Sequence, residues 1–395
     1  MKLPLGGALR GITVIELASY LTGPYAAMLL ADLGAEVIKV EEKFSGDPFR
    51  GWGEKGYNST FCSVNRNKKS VALNLKTREG QEFLLKLAER ADVLIENFRP
   101  GVIQELGLGY EAVREYNSRI IYCSISGFGQ EGPYRDLPGY DTIGQAMGGL
   151  LSLITDLENP TPVGVSLSDH ITGVFACYGI LAALYARERT GQGQKVETSL
   201  LQATASFVQE GAARYFATGV VPDRETRART AQVYAFVAGD RRPFVIHLSS
   251  PPKFWEGLIQ AVGRPEFRDN PQFQDREARI QHYEILRQIL AEIFATRSRK
   301  EWLERLRKYD VPCAPLYTLE EVFEDPQVQY LDMPVELNHP QMGLVRLSGS
   351  AIRLSETPIS HRLAPPTLGE HTEEILRELG YDDGMIERWR QRGVI

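Results

Sequence analysis

Apolar and polar positions fall into short blocks whose period switches along the chain. ITVIEL is a block rich in β-branched residues, PYAAMLLADL repeats apolar positions at helical spacing, and EVIKVE is strand-like again. A strand (Ile12 to Leu17), a helix (Pro24 to Leu33) and a second strand (Glu36 to Glu41) make a βαβ unit, which predicts a parallel sheet. Pro24 suits the first helical turn, where its missing N–H costs nothing. The alternation continues with a helix from about Thr77 to Arg90, a third strand over Asp92 to Glu96, a helix in LGLGYEAVREYN and a fourth strand in RIIYCSISGFG. The fold class is α/β.

From Ile171 to Arg189 the pattern is helical and nearly free of polar residues before Tyr185, with a stop at Gly191. This predicts a core helix with Asp169 at its first turn. Such a carboxylate has two roles open to it. It can cap the helix by accepting from orphan N–H groups. Alternatively it stays ionised beside the positive end of the helix dipole and serves as a nucleophile. Beyond a short strand and a helix ending at Gly219, the polar stretch PDRETRART marks a domain boundary. From Ala231 the character changes: VYAFVAGDRRPFVIHLSS reads as a hairpin, followed by helices near Lys253 to Val262, Glu277 to Ala295, Arg299 to Lys308 and Leu319 to Asp325. Two strands around His339 to Gly343 and two closing helices complete the chain. There is no internal repeat and no low-complexity tract.

The 395 residues are 43% hydrophobic with a net charge of −6, enough for two or more domains and without the concentrated positive charge of a nucleic-acid binder. The longest apolar run, within 171 to 184, is broken by Gly173 and Gly179 and falls short of the ~20 residues that span a bilayer. MKLPLGGALRG lacks a signal-peptide core, so a cytoplasmic location is expected. Cys62, Cys123, Cys177 and Cys313 are far apart and read as buried thiols, and the six histidines are scattered, so no metal constellation is visible. The first loop reads ASYLTGPY in place of GxGxxG, which argues against a nicotinamide or flavin cofactor and leaves Glu41 without meaning as a ribose ligand. Lys43, Arg50, Arg66, Lys68, Lys69 and Lys76 gather in the connection after Glu41, either as solvated charge or as a phosphate-facing edge. Asn97, Phe98 and Arg99 stand at a strand's C-terminal end, where open α/β sheets bind ligands.

The motifs GPYAAMLLADLGAEVIKVE, the GD at 46 and 47, NRNKKSVALNLK, ENFRPG, LGLGYE, ISGFGQEGPY, PGYD, the Asp169 loop with TG at 172 and 173, ALYARERTGQGQKVE, VPCAPL and LGEHTEEIL follow in an order that resembles the family III CoA-transferases. The resemblance runs over essentially the whole chain. It implies a Rossmann-like large domain over 1–220, completed by a return segment 326–395 (the closing part being 330–395), a small α+β domain over 225–325, and a homodimer of interlocked rings. It also implies that Asp169 is the nucleophile, attacking an acyl-CoA thioester to give a mixed anhydride and then an aspartyl-CoA thioester that an acceptor acid resolves. By the same resemblance the CoA site comprises the loop Ser19, Tyr20, Leu21 and Thr22, then Lys43, Leu73, Lys76, Asn97, Phe98, Arg99, Val102, Leu106 and Tyr140. CoA and acyl-CoA are substrates here; no permanently bound cofactor, nucleic acid or membrane partner is expected.

Some positions depart from the formate-type members. Leu21 stands where they carry a glutamine, Glu42 and Glu105 replace arginines, and no glycine run follows residue 230. Formate and oxalate are thus disfavoured and a dicarboxylate is favoured as the acceptor. The α-methylacyl-CoA racemases resemble the chain too, but they carry His in PG(H)D where this chain has Tyr140, whose phenol titrates near ~10 and is a poor base at neutral pH. A racemase and a non-catalytic CoA-ester binder are the alternatives to a transferase. Tyr140 and Asn97 could instead be a packing aromatic and a turn residue. His170 is expected to be a surface or structural residue, because adjacent residues at a helix start diverge. Arg224, Arg227 and Arg229 are either a clamp for a second carboxylate or a solvated linker.

Overall fold

The computed structural model describes residues 6–53 and 58–395; the leading MKLPL of the stretch read for a signal peptide lies outside the described residues. Strands β1 (Thr13–Leu17), β2 (Glu36–Glu41), β3 (Lys68–Ala72), β4 (Val93–Glu96), β5 (Ile121–Ser126) and β6 (Gln194–Ser199) form one parallel sheet in the order β3-β2-β1-β4-β5-β6. Neighbouring strands are in register from Thr13 opposite Glu36 and Val14 opposite Val93 outward. Successive side chains point to opposite faces, and both faces here are apolar. Val14, Val37, Val93, Ile95, Ile121 and Cys123 face helices α1 (Thr22–Asp32) and α5 (Leu167–Thr190). Ile15, Ile38, Leu94 and Tyr122 face α2 (Arg78–Ala88), α3 (Tyr110–Tyr116) and the C-terminal segment. The strand order reverses between β1 and β4, and the loops after these two strands meet there.

Strand β3 was not expected, since KKSVA lies in the basic connection. Lys68 is fully buried and Arg66 nearly so, and neither is solvated charge nor a phosphate-facing edge. Arg66 pairs with Asp32 at 2.6 Å, and Lys68 Nζ forms an ion pair with Glu16 at 2.7 Å while donating to the Pro24 carbonyl and Asn65. A strand that hides its charges in ion pairs has no apolar pattern to reveal it.

After α4 (Asp141–Met147), helix α5 (Leu167–Thr190) runs 24 residues, beginning four positions before the apolar pattern does. It is long and apolar enough to cross a membrane, so the length argument from the sequence does not hold. Its Ala176, Cys177, Ile180, Ala183 and Leu184 pack into the core on the sheet, whereas Val174, Phe175, Tyr178 and Tyr185 are exposed; it is a core helix on one face only.

The chain divides into two compact units: one holds residues up to 151, 162–209 and 330–395, the other 152–161 and 210–329. Thr226–Ala231 of the polar PDRETRART stretch is a short helix inside the second unit. That unit is built on an antiparallel sheet of β7 (Val233–Val237), β8 (Pro243–His247) and β9 (Cys313–Pro315), covered by helices whose Leu286, Phe294, Trp302 and Leu306 surround Phe236 and Phe244. The helix expected over Glu277 to Ala295 is broken at His282. In the first unit, the hairpin β10 (Pro334–His339) and β11 (Gly343–Ser348) precedes two helices whose Ile375, Leu376 and Trp389 join the sheet's core. That burial is why both chain ends belong to one unit.

Candidate active site

The loop between β1 and α1 is held in an uncommon conformation. Tyr20 has φ 65, a left-handed backbone that a bulky residue rarely adopts. Three restraints maintain it. Asn97, just past β4, accepts from the Ser19 N–H at 2.9 Å and donates to the Ser19 carbonyl at 2.8 Å. Asp47 accepts from the Tyr20 N–H at 3.1 Å, and Lys39 donates to the Ala18 carbonyl at 2.9 Å. Lys39 is fully buried between Glu16 at 2.7 Å and Asp47 at 2.9 Å. Burial works against its charge, but Glu16, Asp47 and Glu41 outweigh that and raise its pKa. Lys68, across Glu16, is pulled down to about 8 by burial, with Glu16 opposing and Lys39 adding to the fall. The charges cost desolvation, and each removed partner would leave another unpaired.

Asp169 lies in the first turn of α5. Ser166 is the N-cap and makes no side-chain cap, nor does Asp169 cap the helix; its carboxylate Oδ1 accepts instead from the Thr22 hydroxyl at 2.6 Å. The Asp169 N–H donates to Asp141 Oδ1 at 3.1 Å. Gly173, one turn on, makes this approach possible: a Cβ there would lie 2.9 Å from the Thr22 carbonyl oxygen and 2.9 Å from the Tyr25 ring. Burial pushes the Asp169 carboxyl up to about 6, with Thr22 and His170 opposing and the Asp141 charge adding. Desolvation thus outweighs the pull of the helix dipole on this carboxylate. The group is still about nine-tenths ionised at pH 7.

A cavity of about 200 Å³ opens over Asp169 at the point where strand order reverses, as expected for an open α/β sheet. It brings together Asp169, Ser19, Tyr20, Thr22, Asn97, Phe98, Arg99 and Tyr140. Tyr140 is 61% exposed and meets the edge of the Tyr20 ring at 6.0 Å. Asn97 serves as both loop holder and cavity wall. Other expected residues do not line the cavity. Leu21 is buried against Phe49, Phe61 and Val64, and Leu73 is 1% exposed inside the sheet's core, so neither is open to a ligand. Leu106 packs on that same core, while Lys76 and Val102 are exposed outside the cavity and Lys43 lies over the Phe44 ring.

Sequence reasoning passed over Arg135, Ser126 and Gly127, which also line the cavity. Arg135 sits in PYRDLPGYD, between a glycine-rich strand end and the PGYD motif; its position there was the available signal. It passed over Glu96 too, whose carboxylate is buried beneath the site, accepts from the Phe98 N–H at 2.9 Å and is pushed up to about 7 by burial. His170 places Nδ1 2.7 Å from the Ser166 carbonyl and its ring against Tyr25, a structural arrangement with no bond to Asp169. In the second unit Arg224 faces Asp156 and Glu225, Arg227 faces Glu210, and Arg229 pairs with Glu225, so these arginines already have acidic partners. Among the described residues no cluster of three or more His, Cys, Asp or Glu could hold a metal. The four cysteines are unpaired, and Cys313 is only half-buried.

A carboxylate aimed at a cavity flanked by two guanidinium groups suits covalent chemistry on an anionic acyl compound. Comparison with known proteins bears on which compound. Residues 9–372 match the family described as CoA-transferase family III. The chain is 37% identical to the succinyl-CoA:glutarate CoA-transferase of Mus musculus over 98% of this chain and 90% of that one. It is 38% identical to the succinyl-CoA:mesaconate CoA-transferase of Haloarcula marismortui over 96% and 98%. A crystal structure of a CAIB/BAIF family protein from Brucella suis superposes with a TM-score of 0.85 at 33% identity, covering 95% of this chain and 100% of that one.

Proposed function

Given that the chain belongs to family III of the CoA-transferases, we propose that Asp169 is the nucleophile through which it moves CoA from an acyl-CoA thioester to a carboxylic acid. The observation that carries this assignment is Asp169 at the head of the cavity between β1 and β4, its carboxylate accepting from Thr22 and its N–H donating to Asp141. Thioester-for-carboxylate exchange involves no redox change. The ionised carboxylate attacks the donor thioester and expels CoA thiolate, leaving an aspartyl mixed anhydride. The thiolate then attacks Asp169 Cγ, releasing the donor acid and forming an aspartyl-CoA thioester. The acceptor acid reverses the sequence, and splitting one exchange into these steps is what a covalent nucleophile contributes.

At about 200 Å³ the cavity is smaller than the ~300–1,000 Å³ that encloses a whole ligand, so it takes the reacting end of CoA and the acid. Lys43, Lys76, Val102 and Leu106, outside it, remain for the rest of CoA. Arg99 and Arg135 give the acid's far end a guanidinium to meet. Together with succinyl, glutarate and mesaconate in the relatives' names, this favours a dicarboxylate. The homodimer belongs to the same proposal, with the exposed Val174, Phe175 and Tyr178 of α5 as its buried surface, and so does a cytoplasmic location. Light scattering of the wild type and of Tyr178→Glu tests the dimer.

The nucleophile is tested by incubating the enzyme with succinyl-CoA and searching the Asp169 peptide by mass spectrometry for a CoA-sized adduct. The adduct should form in the wild type and be missing in Asp169→Ala, which still binds acyl-CoA. Solvent deuterium entering the α-carbon of a 2-methylacyl-CoA with no adduct would indicate the racemase chemistry instead. Binding with neither event would indicate a CoA-ester binder.

A further inference from the structure

We infer that the Thr22 hydroxyl is a catalytic oxyanion donor for the steps that occur at Asp169 itself; this rests on Asp169 being the nucleophile. Thr22 Oγ1 lies 2.6 Å from Asp169 Oδ1, a length typical of a hydroxyl donating to a carboxylate. Thr22 is 6% exposed, so little water competes for the bond. It is the first residue of α1, and its backbone is set from both sides. Asn97, Asp47 and Lys39 hold the loop before it, and the close packing at Gly173 fixes the helix it begins. The hydroxyl is therefore preorganised on one oxygen. Oδ2 carries no hydrogen bond among the described residues and is the oxygen left to attack.

Oδ1 keeps its bond to Cγ through the whole cycle. In the anhydride and in the aspartyl-CoA thioester it is the carbonyl oxygen of the enzyme's own acyl group. When CoA thiolate attacks Cγ of the anhydride, the S–Cγ bond forms and the π-electron pair moves onto Oδ1. As that pair returns, the bond from Cγ to the bridging oxygen breaks and the donor carboxylate departs. Attack by the acceptor carboxylate on the thioester repeats this, with thiolate leaving. In both tetrahedral species the negative charge resides on Oδ1, where a fixed, poorly hydrated O–H donor is most effective. The ground-state carboxylate spreads its charge over two oxygens, so the donor's advantage is greater in the transition state. The steps at the substrate's own carbonyl, which lies on the far side of Oδ2, receive nothing from Thr22. The position the sequence resemblance would have given a polar side chain, Leu21, is buried in an apolar cluster and cannot act in its place.

The test uses the full-length enzyme with succinyl-CoA and quenched-flow mass spectrometry, comparing wild type, Thr22→Val and Thr22→Ser. Thr22→Val keeps the β-branched shape and removes the donor. It should slow formation of the Asp169–CoA thioester by about 100-fold, with KM for succinyl-CoA changed less than about 3-fold and an unchanged far-UV spectrum. Thr22→Ser should recover most of the rate. Preformed thioester in Thr22→Val should also react with an acceptor acid about 100-fold more slowly. If Thr22→Val forms and resolves the adduct at the wild-type rate, or if Thr22→Ser is as slow as Thr22→Val, the donor role is overturned while Asp169 stands. If the wild type forms no adduct on Asp169, the nucleophile assignment itself fails.

Discussion

Asp169→Asn should leave the enzyme inactive and more stable. In the folded protein the carboxyl titrates at about 6, against about 3.9 in an unfolded chain. The folded state thus binds this proton more tightly, and the wild type loses stability as pH rises through that window. Two units at 1.36 kcal/mol each make the deficit about 3 kcal/mol above the folded pKa. Asparagine keeps an Oδ1 acceptor for Thr22, has nearly the same volume and does not titrate. The difference in melting temperature, Asp169→Asn minus wild type, should therefore be several degrees at pH 8. It should fall to about half that at pH 5, where about half the deficit has been relieved, and nearly disappear by pH 4. Thermal melts of both proteins at constant ionic strength measure it, and other carboxylates cancel because both proteins contain them. A difference that is flat with pH, or a wild type that is the more stable at pH 8, would refute the claim that burial opposes the charge of Asp169.

Under the proposed mechanism the same titration sets the rate. Adduct formation should slow about tenfold from pH 7 to pH 5 as Asp169 is protonated; among the groups facing it (Asp141 from α4, His170 on its own helix, Tyr20, Tyr140, Arg99 and Arg135 around the cavity), Asp141 raises its pKa, so Asp141→Asn should move the limb to lower pH, and an unmoved limb counts against this. Asn97→Ala removes two hydrogen bonds from Ser19, each worth about 1 kcal/mol, and should lower kcat/KM by about 10- to 100-fold through the loop; unchanged steady-state kinetics would show that Tyr20 holds its conformation without Asn97. Lys39→Met leaves Glu16 and Asp47 short of a buried cation and should cost about 3–5 kcal/mol, of which Glu16→Gln in the same chain restores part in urea unfolding; no restoration would mean the two do not act as a pair. Arg135→Ala should raise KM for a dicarboxylate acceptor and leave a monocarboxylate's unaltered, a comparison that a two-acceptor assay decides.

Much of the chain could be read without coordinates because local pattern and tertiary environment agree there. The βαβ opening, the strands ending at Glu96 and Ser126, the GDRR hairpin and the closing helices all bury what their periodicity says they bury. The position of Asp169 at the head of the core helix was legible as well, and the order of motifs named the family. What stayed hidden is charge turned inward. Lys39, Lys68 and Arg66 look like surface cations in any one-dimensional reading, because nothing local distinguishes a solvated ammonium from one paired across three strands. Only the sheet order puts Glu16 between two lysines and sets Asn97, Asp47 and Lys39 around one loop. The sequence by itself determined the family, the class of reaction and the place of Asp169 at the head of the core helix. The tertiary structure decided its protonation, its hydrogen bond to Thr22 and which expected ligands are buried, because desolvation and contact depend on neighbours far apart along the chain, Thr22 lying 147 positions before Asp169.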